Sequence, residues 1–311
     1  MNRNYLLSAT ALVALAILLA GCSADTPTDG VPKALVPIGV CTVMAGDGPT
    51  RAAANLQVSQ FEAAETFCVH FGSGTAVLED GRSLISTMFT TDGQGGATAA
   101  VKPFFNPDAT ETTIRAYYPS TVSASSSSFT VQADQTEATG YKASDLMYAT
   151  ATATKSGTSV TVPLLFTHLL AKVIVIAHVE GDISNIKGVD IVSGYRTVDI
   201  TDGSACTIGT TLSDGITADA PVSLYSDATG AATVTCAAVL PPQDIDGNFI
   251  RVTTLNSGTA TYDVTRTLTA GHVYTVVLNI SRAGLAPTLT AVANWSDPVE
   301  AYDDPNETLH F

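Results

Sequence analysis

One tryptophan, Trp295, stands in a chain of 311 residues, and only 14 lysines and arginines face 29 aspartates and glutamates. The first scarcity leaves little aromatic platform for a site that stacks sugars. The second gives a net charge of −15 with no Lys/Arg cluster to offset it. Such a surface repels nucleic acid and anionic head groups, so neither is an expected partner. Cys-x-x-Cys is absent, and with it support for a zinc site or a thioredoxin-like redox centre. His70, His168, His178, His272 and His310 fall in neither His-x-x-x-His nor His-Glu-x-x-His spacing, so a helical metal site has no support. Gly-x-Ser-x-Gly and Gly-x-x-x-x-Gly-Lys are missing, and no nucleophile, base and orienter assemble. The expectation is a protein that is not an enzyme and carries neither cofactor nor metal. No long stretch shows the 3.6-residue period of an amphipathic helix.

What is present begins at the N-terminus. Arg3 gives a positive first region, and residues 6–19 are almost wholly apolar, shorter than the ~20 residues of a membrane span. Ala20-Gly21 then leads into Cys22. The stretch Leu19-Ala20-Gly21-Cys22 resembles the lipobox of a bacterial lipoprotein. That resemblance implies a signal peptide over 1–21, lipid on the Cys22 sulfur, and a surface-exposed lipoprotein held to the outer membrane by that lipid. Residues 22–34 carry Pro, Gly and small polar residues without period and read as a flexible tether. The remainder is long enough for two domains.

From there the texture is strands and turns. β-branched and aromatic runs occur at 35–44, 67–71, 112–118, 146–152 and 159–166, and again at 233–239, 249–255, 261–268, 273–280 and 287–295. Short strands at roughly 8–12-residue spacing, with Gly, Pro, Asp and Asn between them, predict an all-β chain built of β-sandwiches. Residues 169–179, with Val173 at their heart, are apolar on both faces and predict a mid-sheet strand covered on both sides. Residues 56–64 are the one candidate for a short helix. A domain boundary is placed at 160/161, giving 35–160 and 161–311.

Beyond Cys22 there remain Cys41, Cys68, Cys206 and Cys236, an even number that permits disulfides in an exported protein. Of three pairings, proximity favours Cys41–Cys68 and Cys206–Cys236, each closing a loop worth about 3–4 kcal/mol. His168, Lys172 and His178 share one parity of the 169–179 strand. They form either a polar site or, as expected here, a strand-entry histidine bonded to backbone and a lysine reaching an edge carboxylate. Residues 244–248, Asp-Ile-Asp-Gly-Asn, lack the further ligands of a calcium loop and are expected to be a turn between strands. Gly93-Gln94-Gly95-Gly96 is expected to be a loop, and the acidic run 303–307 a solvated tail.

Several phrases together resemble one family. They are Thr50-Arg51-Ala52, Arg115-Ala116-Tyr117-Tyr118-Pro119, Asp145-Leu146-Met147-Tyr148-Ala149, the stretch Phe166-Thr167-His168-Leu169-Leu170-Ala171-Lys172-Val173, and Leu268-Thr269-Ala270-Gly271-His272-Val273-Tyr274. The chain is similar over nearly its whole mature length to the fimbrillin-like (Mfa-like) lipoproteins that build type V pili in Bacteroidetes. The resemblance implies two transthyretin-like β-sandwich domains, other pilin subunits as partners, adhesion to a host or bacterial surface, and a place in the fimbrium after maturation. It also implies cleavage by an Arg-specific protease between Arg51 and Ala52. Loss of the strand near 35–44 would open a groove for donor-strand exchange with another subunit. A Cys41–Cys68 disulfide would tether that strand. Residues 296–311, with Pro298, Pro305 and five acids, make a poor donor, which points to a tip or accessory subunit. The alternative is a monomeric outer-membrane lipoprotein that binds glycan or a host protein.

Overall fold

Apolar and polar residues alternate with period two through most of the chain, and these segments fold as strands. In Val160–His168, Val162, Leu164 and Phe166 are buried while Thr161, Pro163 and Leu165 face out. The computed structural model describes residues 34–44, 61–181, 183, 185–201, 205–208, 215–226, 230–256, 258–281 and 284–294. From Leu35 onward they belong to one compact unit. Among them strands dominate, and the single α-helix is the short Ala138–Ala143.

The first sheet has seven strands in the order Ile38–Met44, Val160–His168, Met147–Thr154, Glu111–Tyr118, Ala63–Phe71, Ser86–Asp92, Ala97–Ala99. Its inner face holds Phe67, Phe89 and Phe166 with Ile114 and Leu164, and Phe105 from a separate two-stranded ladder packs in the same cluster, all nearly inaccessible to solvent. Phe67 and Phe166 meet edge to face at 5.2 Å between centroids, and Phe61 lies 4.9 Å from Phe166.

The second sheet has five strands, Tyr225–Ser226, Thr233–Leu240, Ala171–Val179, His272–Ser281 and Gly284–Asn294, in that order. A four-stranded sheet of Val222–Ser223, Ile186–Ile191, Gln243–Thr254 and Thr259–Leu268 shares a core with it. The chain leaves the first sheet at His168 and enters the second at Ala171, so residues 160–168 lie in the sheet built by the N-terminal half.

Ala171–Val179 is the middle strand of its sheet, as its composition predicts. Val173, Val175 and Ala177 face the core shared with the four-stranded sheet. Ile174 turns the other way, into a third cluster with Tyr117, Leu146, Tyr148 and Val198, which joins the two main sheets. Covered faces on both sides explain a run with almost no polar interruption.

Two expectations are corrected. Residues 244–248 are not a turn but part of the long strand Gln243–Thr254, which pairs with Thr259–Leu268 through a bulge between Asn248 and Ile250. Residues 63 and 64, expected at the end of a helix, begin the strand Ala63–Phe71.

Val173 has no accessible surface. Val173→Asp is expected to cost about 4 kcal/mol or more, because a charge is buried without a partner; denaturant unfolding would measure it.

Candidate assembly site

Ile38–Met44 is the strand through which the first sheet closes on itself. On one side it runs parallel to Val160–His168 in unbroken register, from Ile38 opposite Val160 to Met44 opposite Phe166. On the other it meets the far end of the same sheet. Ile38 N–H donates to Pro103 C=O at 2.9 Å and Thr42 N–H to Gly95 C=O at 2.8 Å. Phe105 N–H donates back to Val36 C=O at 2.9 Å. The strand is therefore an insert with backbone partners on both flanks.

Its side chains fill the core as well. Val36, two residues before the strand, and Ile38, Val40 and Met44 within it are all buried against the phenylalanine cluster. At about 1.5–3 kcal/mol per buried side chain, these four contribute roughly 6–12 kcal/mol gross. Net domain stability is only about 5–15 kcal/mol. The sheet cannot lose this strand and keep its structure unless something replaces it.

The opposite wall is shaped by the 92–96 turn, and the expected loop at 93–96 is found there. Asp92 Oδ1 accepts from Gln94 N–H at 2.7 Å and Gly96 N–H at 2.9 Å. Gly95 has φ +91°, and a Cβ on it would lie 3.3 Å from the Thr42 carbonyl oxygen, so glycine lets the turn reach the strand. Asp-Gly between short Thr-rich runs is the local signal by which this hairpin could have been found.

The expected Cys41–Cys68 disulfide is not formed; both are free thiols. In the shorter direction around the sheet, Ser86–Asp92 and Ala97–Ala99 lie between their strands. Straight across a closed seven-stranded sheet at ~4.8 Å per strand that is roughly 11 Å, against the ~7 Å a disulfide spans. Cys68 Sγ instead lies 3.3 Å from His70 Nε2, which also accepts from Ala124 N–H at 3.1 Å. Burial pushes the Cys68 thiol up, away from a reactive thiolate. Cys236 is buried on Thr233–Leu240 beside Val175 and Ser226. Cys206 pairs along the backbone with Ile200, and its side chain lies outside the described residues, as do Cys22, Arg51, Ala52 and Trp295.

A second polar group sits where the two main sheets meet. His168 faces the Asp145 carboxylate. Its Nδ1 lies 2.8 Å from Asp145 Oδ1, with both side chains mostly buried. Lys172 does not reach an edge. It is fully buried, with Nζ 5.8 Å from the Tyr141 ring centre. Burial pushes the Lys172 ammonium down to about 7, against the opposing pull of Asp145. His178, at the far end of the same strand, lies 2.6 Å from Thr233 Oγ1 in an exposed position. The sequence offered Asp145 and His168 in separate phrases; only the fold brings them together. Among the described residues no three His, Cys, Asp or Glu side chains gather as metal ligands.

The fimbrillin-like family matches residues 50–295. Among solved structures, a cell adhesion protein from Bacteroides uniformis superposes with a TM-score of 0.61 at 22% identity, covering 84% of this chain and 99% of its own. One from Bacteroides ovatus gives 0.61 at 17% identity, with 84% and 98% covered. Another from Bacteroides fragilis gives 0.50 at 12% identity, with 84% and 97% covered. These likenesses concern the fold. No curated protein matches the chain.

Lys172 generates a pH prediction. Unfolded, its ammonium keeps its ordinary value near 10.5; folded, it is held near 7. Between these the unfolded chain binds the extra proton, so this group's contribution to stability rises with pH across that window. Lys172→Met is expected to raise the unfolding midpoint at pH 6 and to flatten the rise between pH 7 and 10. Paired thermal melts across that range would check both.

Proposed function

The chain belongs to the fimbrillin-like family, and from that premise we propose that it is a surface pilus subunit assembled by donor-strand exchange after proteolytic removal of its first strand. The family is one of adhesive and structural proteins, and the chain is not an enzyme. The observation that carries the proposal is the insertion of Ile38–Met44 between two sheet edges, bonded on both flanks and buried along one face. Arg51 follows that strand closely in sequence. Cleavage after Arg51 would free the insert, and the open thiols of Cys41 and Cys68 leave it no covalent tether. A vacated slot with two bare edges and an apolar floor is a template for a strand of another subunit.

The remaining parts of the proposal rest on sequence. Lipid on Cys22 would carry the chain to the outer membrane before maturation. The prolines and acids of 296–311 support a tip or accessory place over that of the main polymerising subunit. Two sandwich domains, one around each main core, are the division that the core clusters favour.

Soluble protein beginning at Ser23 would be treated with an Arg-specific protease and followed by intact mass and native size. The expected result is one cut after Arg51, loss of the N-terminal peptide and growth of oligomers, with Arg51→Ala blocking all three. A stable monomer that is not cut, or that keeps its strand after cutting, would overturn strand exchange and favour a monomeric surface lipoprotein that binds glycan or host protein.

A further inference from the structure

The segment Val222–Ser226 crosses between two sheets. Val222–Ser223 pairs with Ile186–Ile191 in the four-stranded sheet, while Tyr225–Ser226 pairs with Thr233–Leu240 in the five-stranded sheet. Each pairing is two residues long, so this edge is covered only thinly. Beside it lies a cavity of about 450 Å³, within the ~300–1,000 Å³ usual for small-molecule sites. Ile186, Val189, Leu224 and Val234 form its aliphatic floor. Nothing in the strand-exchange slot uses it.

The rim is polar and of mixed sign. Asp190 is fixed in place: Arg251 donates to its Oδ2 from Nη2 at 2.8 Å and Nε at 3.1 Å, and Ser223 Oγ donates to its Oδ1 at 2.8 Å. Each carboxylate oxygen has two lone pairs, so Asp190 keeps acceptor capacity. Glu137 also lines the cavity, and as a helix N-cap its side chain makes no capping bond. Lys187 brings one ammonium, and Thr136 and Thr253 bring hydroxyls. Above Gly188 the space is open: a Cβ there would meet no atom within 4 Å. The strand slips register between Ile186 and Gly188, and Lys187 and Gly188 both line the cavity.

We propose that this cavity binds a neutral saccharide, one or two rings in size. Vicinal hydroxyls both donate and accept, which suits carboxylates, an ammonium and hydroxyls arranged around one opening. The C–H face of a sugar ring suits an aliphatic floor. An acyl chain would match the aliphatic floor but make no use of the Glu137, Lys187, Thr136 and Thr253 side chains on the rim. A phosphate or acidic sugar meets Glu137 and Asp190 on a chain of net charge −15. Among the described residues no aromatic side chain lines the cavity, so a single site is weak, with a Kd on the order of 1 mM. Only the use of such a site in adhesion from a pilus rests on the assembly reading.

The test is saturation-transfer NMR on the full chain from Ser23, titrated with lactose and N-acetylglucosamine, and with sialyllactose as the charged counterpart. The expected result is saturable millimolar binding of at least one neutral sugar, with sialyllactose at least fivefold weaker. Gly188→Trp fills open space and is expected to abolish binding while leaving protease-triggered oligomerisation intact, which separates this proposal from strand exchange. If Gly188→Trp does not fold, Lys187→Ala is expected to weaken binding at least fivefold. Saturable binding of neither neutral sugar, binding that survives the variant, or preference for sialyllactose would overturn the proposal.

Discussion

The closure of the first sheet by Ile38–Met44 is the interaction on which the N-terminal half depends. The strand supplies backbone partners to Val160–His168 on one flank and to the 95–105 stretch on the other, and it seals the phenylalanine core from below. An ordinary edge strand can fray with little consequence. This one is flanked on both sides, so its loss exposes two rows of unpaired amides and carbonyls together with the aromatic floor. Its three buried side chains, with Val36 just before it, contribute energy of the same order as the net stability of a domain. The same numbers explain why the slot is well built to hold a strand and poorly built to stand empty.

The second organising element is Ala171–Val179, buried on both faces. One face serves the core between the five- and four-stranded sheets; the other presses on Tyr117, Leu146 and Tyr148 from the first half. The two halves are thus packed through a hydrophobic seam rather than strung on a linker. Lys172 is the exception inside that seam. It is a lysine held in a place where its charged form is disfavoured, next to an Asp145–His168 pair that is itself mostly out of water.

Much of this was legible in the sequence because β-branched and aromatic runs report strands locally. The runs at 112–118, 146–152, 233–239 and 273–280 all became strands with ends shifted by a residue or two. What failed was composition without context. Asp244, Asp246 and Gly247 look like a turn, yet Thr267 and Thr265 on the neighbouring strand donate hydroxyls to the two carboxylates, and Ile245 between them points inward. A polar run there is simply the outer face of a strand. Ser86–Asp92 was missed because serine and threonine outnumber its large apolar residues. The helix Ala138–Ala143 is too short to show a period, and it holds a glycine. The slot was hidden for a different reason: Thr42 and Gly95 are 53 positions apart, and no local pattern states that two ends of a sheet will share one strand. The cysteines show the same limit, since nearness along the chain set Cys41 and Cys68 together and the sheet set them apart.

Were the slot of Ile38–Met44 to take a strand from another subunit, as proposed, slot and donated strand would be different surfaces, and that difference would govern symmetry. A two-fold dimer needs one patch that complements itself. A joint made by inserting one molecule's strand into another's slot is head-to-tail. It leaves one slot open at one end and one strand unspent at the other. Repetition of such a joint produces a polar, open-ended array whose two tips are chemically unlike, so growth and capping become properties of separate ends.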